Sequence, residues 1–120
     1  MNFNSILIGS EDAPALIAFY TRLFGAPGFT DNEYAGWQLG SGFLTVGPHS
    51  EVHGKNAEPG RLIVNLESTQ VDEDFARLSA AGAIVVAEPY SFEGAPDSRI
   101  ATLADPDGNY FQLMTPMEMG

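Results

Sequence analysis

One order of predicted elements occurs twice along the chain, and this repetition restricts the possible folds more than any other feature of the sequence. Residues 3–9 are rich in Ile and Leu and alternate weakly, which predicts a strand. Capping side chains at Ser10 and Asp12 precede a helix that ends at Gly25. Three short strands are then predicted at residues 29–34, 37–39 and 43–46, where Gly and Asn separate apolar runs.

The second half of the chain repeats this order. A strand is predicted at residues 62–66. The segment Ser68-Thr-Gln70 is predicted to cap a helix that contains Val71, Phe75 and Leu78 and closes at Gly82. Three further strands are predicted at residues 84–87, 100–103 and 110–115. The sequence therefore predicts an α+β fold built from two βαβββ modules, although few residues are identical between the halves.

The polar segment between the halves is interpreted as a linker. Residues 49–60 contain Gly, Pro and charged residues. We therefore place module one at about residues 1–48, the linker at about 49–60 and module two at about 61–116, within one domain over residues 1–120.

Composition excludes several classes of function. Five basic residues against sixteen acidic ones give a net charge of −11, which disfavours nucleic-acid binding. Neither a signal sequence nor an apolar run of roughly 18 residues is found, so a cytoplasmic protein with no membrane partner is expected. Cysteine is absent, which removes disulfides and thiolate chemistry. The acidity either serves solubility or attracts a cationic ligand.

Three segments resemble the vicinal-oxygen-chelate superfamily, which includes glyoxalase I, the extradiol dioxygenases and the bleomycin-resistance proteins. Residues 12–25, with their Phe-Tyr and terminal Leu-Phe-Gly, look like its first helix, and residues 75–83 look like its second. The turn Asp105-Pro-Asp-Gly-Asn109 looks like its last hairpin. The resemblance implies two βαβββ modules that form a curled mixed sheet around a cleft, usually within a homodimer.

The resemblance also implies positions for a divalent metal, and the residues there are unsuitable. In the metal-using members the three metal ligands are, in chain order, His or Gln, His, and Glu. The matching positions here are Ser5, Ile63 and Gln112. Imidazole and carboxylate groups hold such metals, and this set offers one amide. No metal and no cofactor are therefore expected.

Both histidines lie in the predicted linker. His49 and His53, with Glu51 between them, could form a displaced metal site or an acid/base pair, or could simply be solvated. Gly54 and Pro59 argue against the helical geometry that would align the two imidazoles. We favour His49 as a hydrogen-bonding residue at the rim of the cleft.

Strand alternation selects the other candidate ligand-binding residues. Leu62, Val64 and Leu66 should face the helix, which places Ile63, Asn65 and Glu67 on the cleft side. In the last strand Phe111 and Leu113 should be buried, which leaves Tyr110, Gln112 and Met114 opposite them. Asn65 and Gln112 either bind a ligand or bond to each other or to a water, because a buried amide needs a partner.

Two more candidates come from the first module. Ser5 should lie on the cleft side of the first strand, and Trp37 either stacks on a ligand or belongs to the core. The candidate ligand-binding set is thus Asn65, Gln112, Tyr110, Trp37, Ser5 and His49.

The sequence leaves three functions open. The favoured one is a metal-independent small-molecule binding protein of the glyoxalase/bleomycin-resistance type, with a cationic or aromatic ligand. An alternative is a lyase, isomerase or dioxygenase-like enzyme acting on a small oxygenated metabolite, with His49 or Glu51 as acid/base. A third is a structural or interaction module that retains the fold.

Overall fold

The computed structural model describes residues 1–116 and divides the chain into two compact units. The first unit is Met1–Gly54, and the second begins at Lys55. The division falls inside the predicted linker at residues 49–60. Neither helix within residues 1–116 is long and apolar enough to cross a membrane.

The first unit has the predicted βαβββ order. Its elements are β1 (Ile6–Ser10), α1 (Ala13–Phe24), β2 (Phe29–Asp31), β3 (Tyr34–Leu39) and β4 (Gly42–Pro48). The sheet order is β1-β4-β3-β2, with β1 parallel to β4 and the other pairs antiparallel.

Local chemistry sets both ends of α1. The Asp12 side chain accepts a hydrogen bond from the Ala15 N–H at 3.2 Å, and Pro14 occupies the first turn. The helix ends at Gly25, whose φ of 88° suits a residue without Cβ. The buried side of α1 packs on the sheet through Leu16, Phe19, Tyr20 and Leu23.

The second unit repeats the order. A 3-10 helix at Pro59–Arg61 precedes β5 (Val64–Glu67), α2 (Val71–Ala80), β6 (Ile84–Phe92), β7 (Ala95–Ala104) and β8 (Tyr110–Met114). The sheet order is β5-β8-β7-β6, and β5 runs parallel to β8. Two four-stranded sheets, each with one helix, confirm the prediction of two βαβββ modules.

Three local predictions are corrected by the structure. The first strand begins at Ile6 rather than at residue 3, and Phe3 is exposed. Leu62 precedes β5 and is 63% exposed, so it does not face the helix. The helix α2 starts after Gln70 without a side-chain cap; Ser68 instead donates to the Asp74 carboxylate at 2.6 Å.

The strands β6 and β7 are longer than predicted. The sequence predicted strands only at residues 84–87 and 100–103; Pro89, Gly94 and Pro96, which are poor strand residues, lie between them. In the structure these residues belong to one long hairpin with register shifts along β6, and Gly94 turns at a φ of 80°.

The turn between β7 and β8 is organised around a buried carboxylate. Asp105 is fully buried, and its Oδ1 accepts the backbone N–H of Asp107 at 2.9 Å and that of Asn109 at 3.0 Å. The Asn56 side chain donates to Asn109 Oδ1 at 3.0 Å, and the Asn56 N–H donates to the Asp107 carbonyl at 2.8 Å. The segment that opens the second unit is therefore tied to this turn.

We expect Asp105→Ala to lower the free energy of unfolding by about 1–3 kcal/mol, because buried N–H groups lose their acceptor. Asp97→Ala removes the same charge from the exposed part of β7 and should change the stability by less than about 0.5 kcal/mol. Urea denaturation of both variants measures the difference. Equal losses in the two variants would contradict the structural role of Asp105.

Candidate functional site

The second unit has one sheet face covered by α2 and one face without a helix. The helix packs on β6, β7 and β8, and Phe111 and Leu113 of β8 are buried on that covered side. Alternation sends Tyr110, Gln112 and Met114 to the opposite side, where they are half-buried. We call this opposite side the open face of the second unit; it is formed by Asn65, Glu67, Ala87, Tyr90, Ile100, Thr102, Ala104, Tyr110, Gln112 and Met114.

A row of hydrogen-bonding side chains crosses the open face. Strand register places Asn65 opposite Gln112 and Gln112 opposite Thr102. Gln112 Nε2 donates to Thr102 Oγ1 at 3.0 Å, so its amide partner is Thr102 and not Asn65. Asn65 is exposed. Within residues 1–116 the Gln112 Oε1 atom accepts no hydrogen bond, and it is available to a ligand.

A second row runs beside the first one. Glu67 lies opposite Met114, Met114 opposite Ile100, and Ile100 opposite Tyr90. Tyr90 is 46% exposed, and its ring meets that of Phe92 edge to face with the centroids 6.0 Å apart. Sequence reasoning missed Tyr90 because the predicted strand stopped at residue 87.

Tyr110 begins β8 opposite Ala104 and is half-buried on the open face. The structure therefore brings together three of the predicted ligand-binding residues, Asn65, Gln112 and Tyr110, on one surface of one unit.

The first unit also has a face without a helix. Alternation places Leu7 and Gly9 on this side, whereas Ser5 is half-buried and precedes β1, so it is not on the first strand as predicted. Glycines on the same face let aromatic side chains lie against the sheet: a Cβ at Gly36 would be 2.6 Å from Phe43 Cζ, and a Cβ at Gly47 would overlap the Tyr34 ring. Ser5 stays a prediction as a ligand contact.

His49 lies next to this face and is exposed. A Cβ added at Gly9 would be 2.9 Å from the His49 Cβ, so the histidine sits over the end of β1. His49 Nδ1 accepts the backbone N–H of Glu51 at 3.2 Å. Glu51 and His53 are also exposed, and the role of this loop stays a prediction.

Trp37 occupies the core of the first unit. It is 3% exposed, and its Nε1 donates to the Gly25 carbonyl at 2.9 Å. Its ring centroid lies 6.1 Å from that of Tyr20, on α1. Trp37 is therefore on the helix side of its sheet, opposite to Leu7 and Gly9, which corresponds to the core role that the sequence left open.

Comparison with known proteins identifies the family. A family model described as "Glyoxalase-like domain" matches residues 5–114. The chain belongs to the glyoxalase-like domain family. No curated protein sequence matches it.

Solved structures share the fold of this glyoxalase-like protein. A "glyoxalase-related enzyme from Fulvimarina pelagi" superimposes with a TM-score of 0.74 at 23% identity, over 98% of this chain and 93% of that one. A "glyoxalase/bleomycin resistance protein/dioxygenase family enzyme" from Burkholderia phytofirmans PsJN superimposes with a TM-score of 0.72 at 22% identity, over 95% of this chain and 98% of that one. TioX from Micromonospora sp. ML1 superimposes with a TM-score of 0.71 at 20% identity, over 98% of this chain and 100% of that one.

The residues at the implied metal positions do not fit a divalent metal. Ser5, Ile63 and Gln112 supply no imidazole and no carboxylate. Within residues 1–116 no group of three His, Asp or Glu side chains is placed to hold an ion. Gln112 is moreover bonded through its amide to Thr102.

Proposed function

We propose that this glyoxalase-like protein binds a small organic molecule on the open face of the second unit, without a metal. The observation that carries the proposal is the row Asn65–Gln112–Thr102, which sets hydrogen-bonding groups across a sheet face with aromatic and apolar neighbours. Small-molecule sites typically combine an apolar surface with a few oriented polar groups.

The surroundings of the row favour an aromatic or cationic ligand. Tyr110 and Tyr90 present aromatic rings on the same face, and rings of this kind stack on planar ligands or attract cations. The net charge of −11 would raise the local concentration of a cationic ligand.

Gln112→Leu is expected to weaken ligand binding by about 1–3 kcal/mol, because the ligand loses the Oε1 acceptor. Thr102→Val is the matched comparison: it removes the hydroxyl that anchors Gln112 Nε2 but keeps the Oε1 acceptor, and should reduce affinity less than Gln112→Leu. A thermal-shift screen of cationic and aromatic metabolites supplies the ligand, and calorimetry measures both variants.

The two variants also separate binding from stability. If Gln112→Leu melts well below the parent protein and keeps the parent's affinity, Gln112 is structural and the proposed site is wrong.

We expect zinc, nickel and manganese to leave the melting temperature of the purified protein unchanged. A metal that bound only the folded state at 100 times its Kd would add about 2.7 kcal/mol of stability, which calorimetry detects easily. A melting shift that EDTA reverses would reject metal independence.

We further propose that the protein is a homodimer that pairs through β6. This strand lies at the edge of its sheet, and Ile84, Val85 and Val86 are exposed there without a charge or proline among them. Natural sheets usually protect such edges, and the later part of β6 does so with Glu88 and Pro89. Antiparallel pairing centred on Val85 would keep the two Glu88 carboxylates at opposite ends, so the acidic chains can approach.

The dimer can be tested by sedimentation. The parent protein should sediment at twice the 12.8 kDa of one chain. Val85→Lys should shift it to the monomer mass, because the edge then carries a charge in each copy. Phe29→Lys changes an exposed apolar residue of another edge strand and should leave the dimer intact. A parent protein of monomer mass would reject the proposal.

A further inference from the structure

We infer that the open face of the second unit selects an elongated ligand with a cationic group at one end and an aromatic group at the other. Glu67 would determine the preference for the cation, and Tyr90 the preference for the aromatic group. The inference rests on the proposed function, that this face binds a ligand, and it adds the ligand's class and length.

The length follows from strand register. Glu67, Met114, Ile100 and Tyr90 lie in one row across β5, β8, β7 and β6. Neighbouring strands are about 4.8 Å apart, so the two ends of the row are about 14 Å apart. A ligand that touches both ends must span roughly that distance.

The Glu67 end favours a positive charge over a neutral group. Glu67 is exposed, and the salt bridges within residues 1–116 join Arg61 to Glu58, Arg77 to Asp74 and Arg99 to Asp72. Glu67 is in none of them. The two hydrogen bonds from Arg99 to Asp72, both 3.0 Å, hold that guanidinium away from Glu67. An ammonium group on the ligand could therefore form an ion pair with the exposed Glu67 carboxylate without competition from a neighbouring guanidinium.

At the Tyr90 end two exposed aromatic rings lie nearly perpendicular to each other. Tyr90 and Phe92 are 46% and 47% exposed, and their ring planes meet at 85°. Perpendicular rings can contact a flat ligand group by stacking on one ring and edge contact with the other.

The middle of the row is apolar, with one polar group beside it. Met114 is half-buried and presents apolar surface to an alkyl linker, whereas Ile100 is only 7% exposed and adds little contact area. The neighbouring row places Gln112 Oε1 next to this linker position, where it can accept a hydrogen bond from the ligand.

Dansylcadaverine is a suitable probe because an alkyl chain joins its dansyl ring to a primary ammonium group. N-acetylated dansylcadaverine has similar length and no charge, and dansylethylenediamine keeps both groups on a shorter linker. Fluorescence anisotropy gives the affinity of each probe for the intact protein.

Glu67→Gln should lower the affinity for dansylcadaverine by about two- to fivefold, the range for an exposed ion pair, and should leave the affinity for the acetylated probe unchanged. Glu73→Gln makes the same change at an exposed position of α2, on the covered side of the sheet, and should have no effect. Tyr90→Leu should lower the affinity for dansylcadaverine and for its acetylated form by about two- to tenfold. The short probe should not respond to Glu67→Gln.

Three results would overturn the inference: no binding of dansylcadaverine to the parent protein, equal losses for the charged and acetylated probes in Glu67→Gln, or an equal loss in Glu73→Gln. The proposed function is tested separately. It survives any of these results if a ligand from the metabolite screen loses affinity in Gln112→Leu, and it fails if no screened ligand does.

Discussion

The parallel pairing of the first strand with the last strand is the constraint on which each unit depends. Parallel strands cannot be joined by a tight turn and need a long crossover connection, and in each unit a helix and two further strands lie between them. In the second unit this pairing sets β5 beside β8, and the register places Asn65 opposite Gln112 and Glu67 opposite Met114. A slip of one residue would turn those side chains toward α2 and bring apolar residues to the open face.

The elements were predictable from sequence where local chemistry and hydrophobic spacing agree. The helix α1 combines a capping Asp12, a proline in its first turn and a glycine at its end, and the structure places it where the sequence did. The β6–β7 hairpin was underestimated because Pro89 and Pro96 are poor strand residues. Pairing with β7 and packing of α2 on β6 and β7 outweigh these local preferences, and neither is visible in a short window of sequence.

The candidate site was predictable only in part, for a related reason. Alternation correctly placed Gln112 and Tyr110 on the side opposite to Phe111 and Leu113. Alternation does not tell which strands are neighbours in the sheet. The strand order is needed to find that Thr102 is the partner of Gln112 and that Tyr90 lies at the end of the second row. Likewise Trp37 could be either buried or exposed on a short strand, and only its contact with α1 decides.

The hydrogen bond between Gln112 and Thr102 has a consequence for the energetics of recognition. A free glutamine side chain samples many rotamers, and fixing it costs about 1.5–2 kcal/mol. On the open face the Nε2 group is already anchored to Thr102 Oγ1, so folding has restricted the side chain before any ligand arrives. The Oε1 atom is held in one orientation, and more of the energy of a hydrogen bond to it becomes affinity. Such preorganisation lets a single amide discriminate among ligands that differ only in the direction of one donor.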